Sequence, residues 1–141
     1  MLRAVLDPGV LVAAAIAPRG VCGQLLQAVL DERYALVTCP SLLAELDEVL
    51  RRPKLRRYLS VEEAQRYVAR LAEVAEHSPD PVIRPGLTRD PDDDYLVALA
   101  QEANADYLVS GDRDLTVLTH LQPPVLEPRA FLEHLNAGRS Q

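Results

Sequence analysis

The sequence predicts an α/β domain with a parallel sheet and helices on both faces. Three observations predict it. Short apolar runs that end in turn residues alternate with stretches of helical spacing. The runs are continuously apolar, as in buried strands. The length of 141 residues and the apolar content of 48% suit one compact domain. With no Trp and one Phe, the core must come mainly from Leu, Val and Ala.

The elements follow in order. Ala4-Val5-Leu6 reads as a buried strand that stops at a turn, Asp7-Pro8-Gly9. Val10 to Ala17 suits a short helix broken by Pro18-Arg19-Gly20. Val21 to Glu32 has helical spacing through Val21, Leu25, Leu26 and Val29. Tyr34 to Thr38 reads as a second strand. Pro40 suits the first turn of a helix that runs from Ser41 to Arg52, with Leu42, Leu46, Val49 and Leu50 on one stripe and Pro53 as its stop. Val61 to Glu76 is a further helix. Residues 78–91, with Pro79, Pro81, Pro85 and Pro91, are expected to be extended or loop. Then come a helix over Asp92 to Ala103, a strand over Asp106 to Ser110, a short helix over Leu115 to Leu118, a strand at Val125-Leu126 and a helix over Pro128 to Leu135. The domain is expected to occupy residues 1–137, with Gly138 to Gln141 a frayed tail.

Net charge is −6 and the pI is about 5.0. A strongly basic nucleic-acid footprint is therefore absent overall, so any such contact must be local. Cys22 and Cys39 are too few for a disulfide framework or a four-ligand zinc site. His77, His120 and His134 read as structural or surface residues. The longest apolar run, Val10 to Ala17, is short of the ~20 residues that span a bilayer. Met1-Leu2-Arg3 leads into a strand rather than a signal peptide. Cytoplasmic residence without membrane association is the expectation.

In a parallel α/β sheet the ligand site lies beyond the carboxyl ends of the strands. That rule selects acids. Asp7 ends the first strand pattern, and Asp112 follows the Tyr107-Leu108-Val109 run. Asp94 lies in the first turn of the intervening helix. Glu45 falls beside the Leu42/Leu46/Val49 stripe, so it points toward protein and needs a cation or donor. Converging carboxylates repel one another, and a divalent cation relieves the repulsion. An all-oxygen donor set favours Mg²⁺ or Mn²⁺ over Zn²⁺. Such a site can polarise a phosphodiester and generate hydroxide from bound water. Each acid also has a plainer reading. Asp7 can open a turn, Glu45 can be a solvated helix acid like Asp47 and Glu48, and Asp112 can be a loop acid. Asp90, Asp92, Asp93 and Asp94 can all favour a helix N-terminus, the preferred account for Asp92 and Asp93. Asp114 divides evenly between a metal-site auxiliary and a helix cap.

Taken in order, four segments resemble the motifs of PIN domains. They are Val5-Leu6-Asp7 with Val10-Leu11-Val12, Leu42-Leu43-Ala44-Glu45-Leu46 with Val49 to Leu55, Arg89 to Ala100 around Asp94, and Ala105 to Leu115 around Ser110-Gly111-Asp112. Pro128-Arg129-Ala130-Phe131-Leu132 fits the usual ending. The resemblance is closest to VapC-like toxin components of toxin–antitoxin systems. It implies a single PIN-like, Rossmann-like domain and an Mg²⁺- or Mn²⁺-dependent endoribonuclease. Asp7, Glu45, Asp94 and Asp112 match its acidic quartet, with Ser110 and Asp114 as auxiliaries. It further implies an RNA substrate, a small antitoxin partner and a homodimer. One departure stands out: the family usually opens Asp-Thr-Asn, whereas here Pro8-Gly9 follows Asp7. That departure motivates an alternative, a catalytically weakened PIN-fold binding module acting through protein or RNA partners.

Arg51, Arg52, Lys54, Arg56 and Arg57 crowd into seven residues after the Glu45 helix and can pair with RNA phosphates. Equally, they can be helix C-terminal and loop cations. Tyr58, Tyr67 and Tyr95 are candidate base-stacking surfaces, with core or rim packing the more ordinary role. A haloacid-dehalogenase-type phosphatase would want a second Asp where Gly9 stands. A phospho-accepting receiver would want paired acids at the first strand and a Lys after the last. Neither pattern is present.

Overall fold

The computed structural model describes residues 1–82 and 91–139, with backbone alone at 91–93 and 139. Five parallel strands form one sheet: β1 (Arg3–Leu6), β2 (Ala35–Thr38), β3 (Glu76–His77), β4 (Tyr107–Val109) and β5 (Val125–Leu126). Ala4, Val5 and Leu6 are each fully buried. Successive strand residues point to opposite faces, so both faces of β1 are covered. The covering helices are α1 (Pro8–Ile16), α2 (Val21–Leu30), α3 (Pro40–Leu50), α4 (Val61–Val74), α5 (Pro91–Glu102), α6 (Arg113–Thr116) and α7 (Pro128–Arg139). α1 packs against α2 and α3, and α5 lies directly on β1 and β4. In the core, Phe131 of α7 meets Tyr34 edge-on at 5.0 Å between ring centroids.

The strand order is β3-β2-β1-β4-β5. The chain moves outward from β1 to β2 and β3, then returns to add β4 on the other side of β1. The order therefore reverses between β1 and β4. At such a reversal the loops leaving the two strands diverge and open a crevice at their carboxyl ends. Asp7 follows β1, and Ser110 and Asp112 follow β4, so this topology brings three of the selected residues to one place.

Several boundaries differ from expectation for physical reasons. The segment Asp7-Pro8-Gly9 is no free turn. Asp7 is the N-cap of α1 and Pro8 its first residue, a pairing that starts a helix. β3 takes Glu76, expected as the last residue of a helix, together with His77. It is a two-residue exposed edge strand, Glu-His, and carries no apolar pattern to reveal it. α3 stops at Leu50, which leaves Arg51 as its C-cap and Arg52 outside. α6 begins at Arg113 rather than Leu115 because Asp112 caps it. α7 continues through Gly138 and Arg139, where a frayed tail was expected. Residues 83–90 of the expected loop lie outside the described residues, as does Asp90 with them. Among the described residues no single helix is long and apolar enough to cross a membrane.

Candidate active site

Asp7 stands at the floor of the crevice and is 8% exposed. Its backbone N–H donates to Val109 O at 3.0 Å, which extends the β1–β4 ladder by one bond. Its Oδ1 accepts the Val10 N–H at 2.8 Å, and the Ser110 hydroxyl and the Gly9 amide are near enough to favour the charged carboxylate. Burial pushes the Asp7 carboxyl above its ordinary value. The Ser110 and backbone donors oppose that rise, and the negative charge of Asp112 adds to it. A Cβ on residue 9 would come within 3.3 Å of Asp7 Oδ1. Glycine there leaves this oxygen unobstructed.

Ser110 is fully buried between the two acids. Its Oγ accepts the Asp112 N–H at 3.0 Å, and its hydroxyl is near enough to Asp7 to favour that acid's charged form. Asp112 is exposed, and its Oδ1 caps α6 by accepting the Asp114 N–H at 2.8 Å. Asp114 is exposed in the first turn of that helix. The cap reading expected for Asp114 thus belongs to Asp112.

Asp94 is 2% exposed in the first turn of α5, the helix packed on β1 and β4. Glu45 is half-buried on α3. With Asp7, Pro8, Gly9, Glu48, Val49, Arg52 and Leu96 it lines a cleft of about 480 Å³. Tyr95 Oη donates to Glu45 Oε1 at 3.4 Å. Burial, reinforced by the charge of Glu45, holds the Tyr95 phenol well above its ordinary value, so it remains a donor.

The crevice thus joins Asp7 to Ser110 and Asp112 on one side and to Glu45 on the other. Among the described residues, no three Asp, Glu, His or Cys side chains form a ready-made metal cage. The quartet expected to converge does not close into a shell here. Bare carboxylates repel, and Asp7 and Asp112 each commit one oxygen to a helix cap. The donor chemistry nevertheless fits a hard divalent cation. Asp7 is buried, is repelled by Asp112 and makes no ion pair with any described residue. Mg²⁺ characteristically uses one or two carboxylates and keeps several waters.

Of the five clustered cations, Arg52 alone lines this cleft. Arg51 is paired with Asp47 at 2.8 Å, so Asp47 is not the freely solvated acid expected. Arg56 donates to Leu50 O, Arg57 lies over the Tyr58 ring at 5.4 Å, and Lys54 is exposed. Tyr67 is turned inward, donating to Leu11 O. Sequence reasoning missed the hydroxyl of Tyr95 as a partner for Glu45. Its position directly after Asp94 was the available signal. Arg52, one of the five cations selected from the sequence, lines the cleft with Glu45, seven residues before it in the chain.

The chain is thus a parallel α/β domain with a buried carboxylate, Asp7, at its topological switch point. Residues 3–114 match the family model described as PIN domain, a stretch that includes all four acids. The chain belongs to the PIN domain family. It is 31% identical over 147 aligned positions to Uncharacterized protein MJ1680 of Methanocaldococcus jannaschii, covering 94% of this chain and 90% of that protein. Its fold is similar to the crystal structure of PAE2754 from Pyrobaculum aerophilum, with TM-score 0.66 and 16% identity over 96% of this chain and 90% of that one. It is also similar to VapBC2 from Rickettsia felis, solved bound to a DNA fragment from their promoter, with TM-score 0.64 and 16% identity over 89% and 98% of the two chains. PIN domains are in general nucleases that use divalent metal ions.

Proposed function

We propose that this chain is a metal-dependent endoribonuclease and the toxin of a toxin–antitoxin pair. The observation that carries the reading is the buried Asp7 carboxylate, set against Asp112 at the switch point with hydrogen-bond donors but no counter-charge. Asp7, Asp94 and Asp112 would hold Mg²⁺ or Mn²⁺, with Glu45 as a further ligand or a water-orienting base. A bound cation would acidify water and neutralise charge on the phosphodiester. The protein's own groups supply the rest. Ser110 keeps the two aspartates in register through one hydroxyl. The Val10 amide holds Asp7 at the helix N-terminus, where the partial positive charge favours a carboxylate. Arg52 offers a phosphate contact at the cleft mouth.

The backbone grip on Asp7 also bears on the weakened-module alternative. Its motive was the Asn lost at Gly9. The Val10 amide already anchors the carboxylate, which favours a working site. An antitoxin partner, a homodimer and an RNA substrate complete the proposal. The test is cleavage of labelled RNA in Mn²⁺, with and without chelator, by wild type and Asp7→Asn. Wild type should cleave only in metal, and the variant should lose at least a hundredfold in rate, on the order of the several kcal/mol a metal centre supplies. Equal cleavage by both proteins, or activity that survives chelation, would exclude the mechanism.

A further inference from the structure

We infer that Tyr95 is a positioning residue that sets Glu45 for the divalent cation, by tying the helix that carries Asp94 to the helix that carries Glu45. The inference rests on the reading above that these acids bind a metal.

Tyr95 follows Asp94 in the first turn of α5, and its hydroxyl meets Glu45 Oε1 on α3 at 3.4 Å. The two acids start from different conditions. Asp94 is buried on a helix packed against β1 and β4. Glu45 is half-buried at a cleft wall, on a longer side chain with more rotamer freedom to lose. A donor on the Asp94 helix therefore ties the less buried acid to the element that carries the more buried one.

A phenol suits this task. It offers one donated hydrogen bond, and the carboxylate keeps its remaining lone pairs for a cation. It is uncharged, so unlike an Arg or Lys it leaves intact the negative charge that attracts the metal. At 3.4 Å the bond is long, as hydrogen bonds in unliganded active sites often are.

Partners that orient a metal ligand typically contribute 10–100-fold in metal affinity, and a bond this long belongs at the lower end, about tenfold. The experiment is a Mn²⁺ titration followed by electron paramagnetic resonance on wild type, Tyr95→Phe, Tyr95→Leu, Glu45→Gln and the Tyr95→Phe/Glu45→Gln double variant, each checked for a folded thermal transition. Phe keeps the ring and removes only the hydroxyl. Phe and Leu should weaken Mn²⁺ equally, by about tenfold, and Tyr95→Phe should add nothing to Glu45→Gln. If Phe binds like wild type while Leu is weakened, the ring acts by packing and the inference fails. If the two single effects add, Tyr95 does not act through Glu45 and it fails as well. If wild type binds no Mn²⁺, the metal reading falls and takes this inference with it.

Discussion

Asp7 serves two structural ends that pull against each other. As a cap it satisfies the first free N–H groups of α1, for which Asp and Asn are nearly equivalent. As a buried carboxylate beside Asp112 it holds its proton more tightly in the folded chain than in the unfolded one. A group shifted in that direction penalises folding fully above its raised value, and the penalty fades as pH falls through that value and is gone below the ordinary carboxylate value near 4. Asp7→Asn keeps the cap and removes the charge. In chelator, thermal melts should therefore show the variant more stable than wild type at pH 7, with the advantage shrinking toward pH 4. A variant less stable than wild type at pH 7 would show that Asp7 is not strained. The placement of Asp7 and Asp112 at the strand ends was legible in the sequence, because apolar strand runs stop there. The bonds that arrange them were not: Ser110 between two carboxylates, Tyr95 against Glu45 and Asp112 as a cap all depend on where separate elements meet.

At the scale of elements, the α1–α2 corner at the far end of the Asp7 helix is packed backbone against backbone. α2 starts three residues after Pro18, and its Gly23 is pressed against that turn. A Cβ at position 23 would lie 1.9 Å from Pro18 O. Backbone cannot yield as a side-chain tip does, so Gly23→Ala should cost at least the ~1–3 kcal/mol of ordinary overpacking. Thermal or denaturant unfolding would read this directly, and an unchanged midpoint would show that the corner relaxes freely. Amphipathic helices such as α3 and α4 announced themselves by their period. Pro8-Gly9 misled because Pro and Gly punctuate turns as readily as Pro opens a helix. β3 left no signal, since an exposed two-residue edge strand is defined by its neighbour β2 rather than by its own residues.

For the whole molecule, the decisive fact is the order of the strands. Alternation of runs and helices foretold the α/β class, yet no local pattern says that β4 returns beside β1. That return places the ends of two strands, distant in sequence, side by side and gives the acids a common crevice. It also explains how a chain of net charge −6 can concentrate function locally, with Arg52 alone of its clustered cations lining the cleft. The central claim is that a divalent cation resolves the repulsion between Asp7 and Asp112. The most direct measurement is an anomalous difference map from crystals grown with Mn²⁺. The expected result is a strong peak in the crevice, within coordination distance of both aspartates. A map with no peak there, or with Mn²⁺ bound only elsewhere, would contradict it.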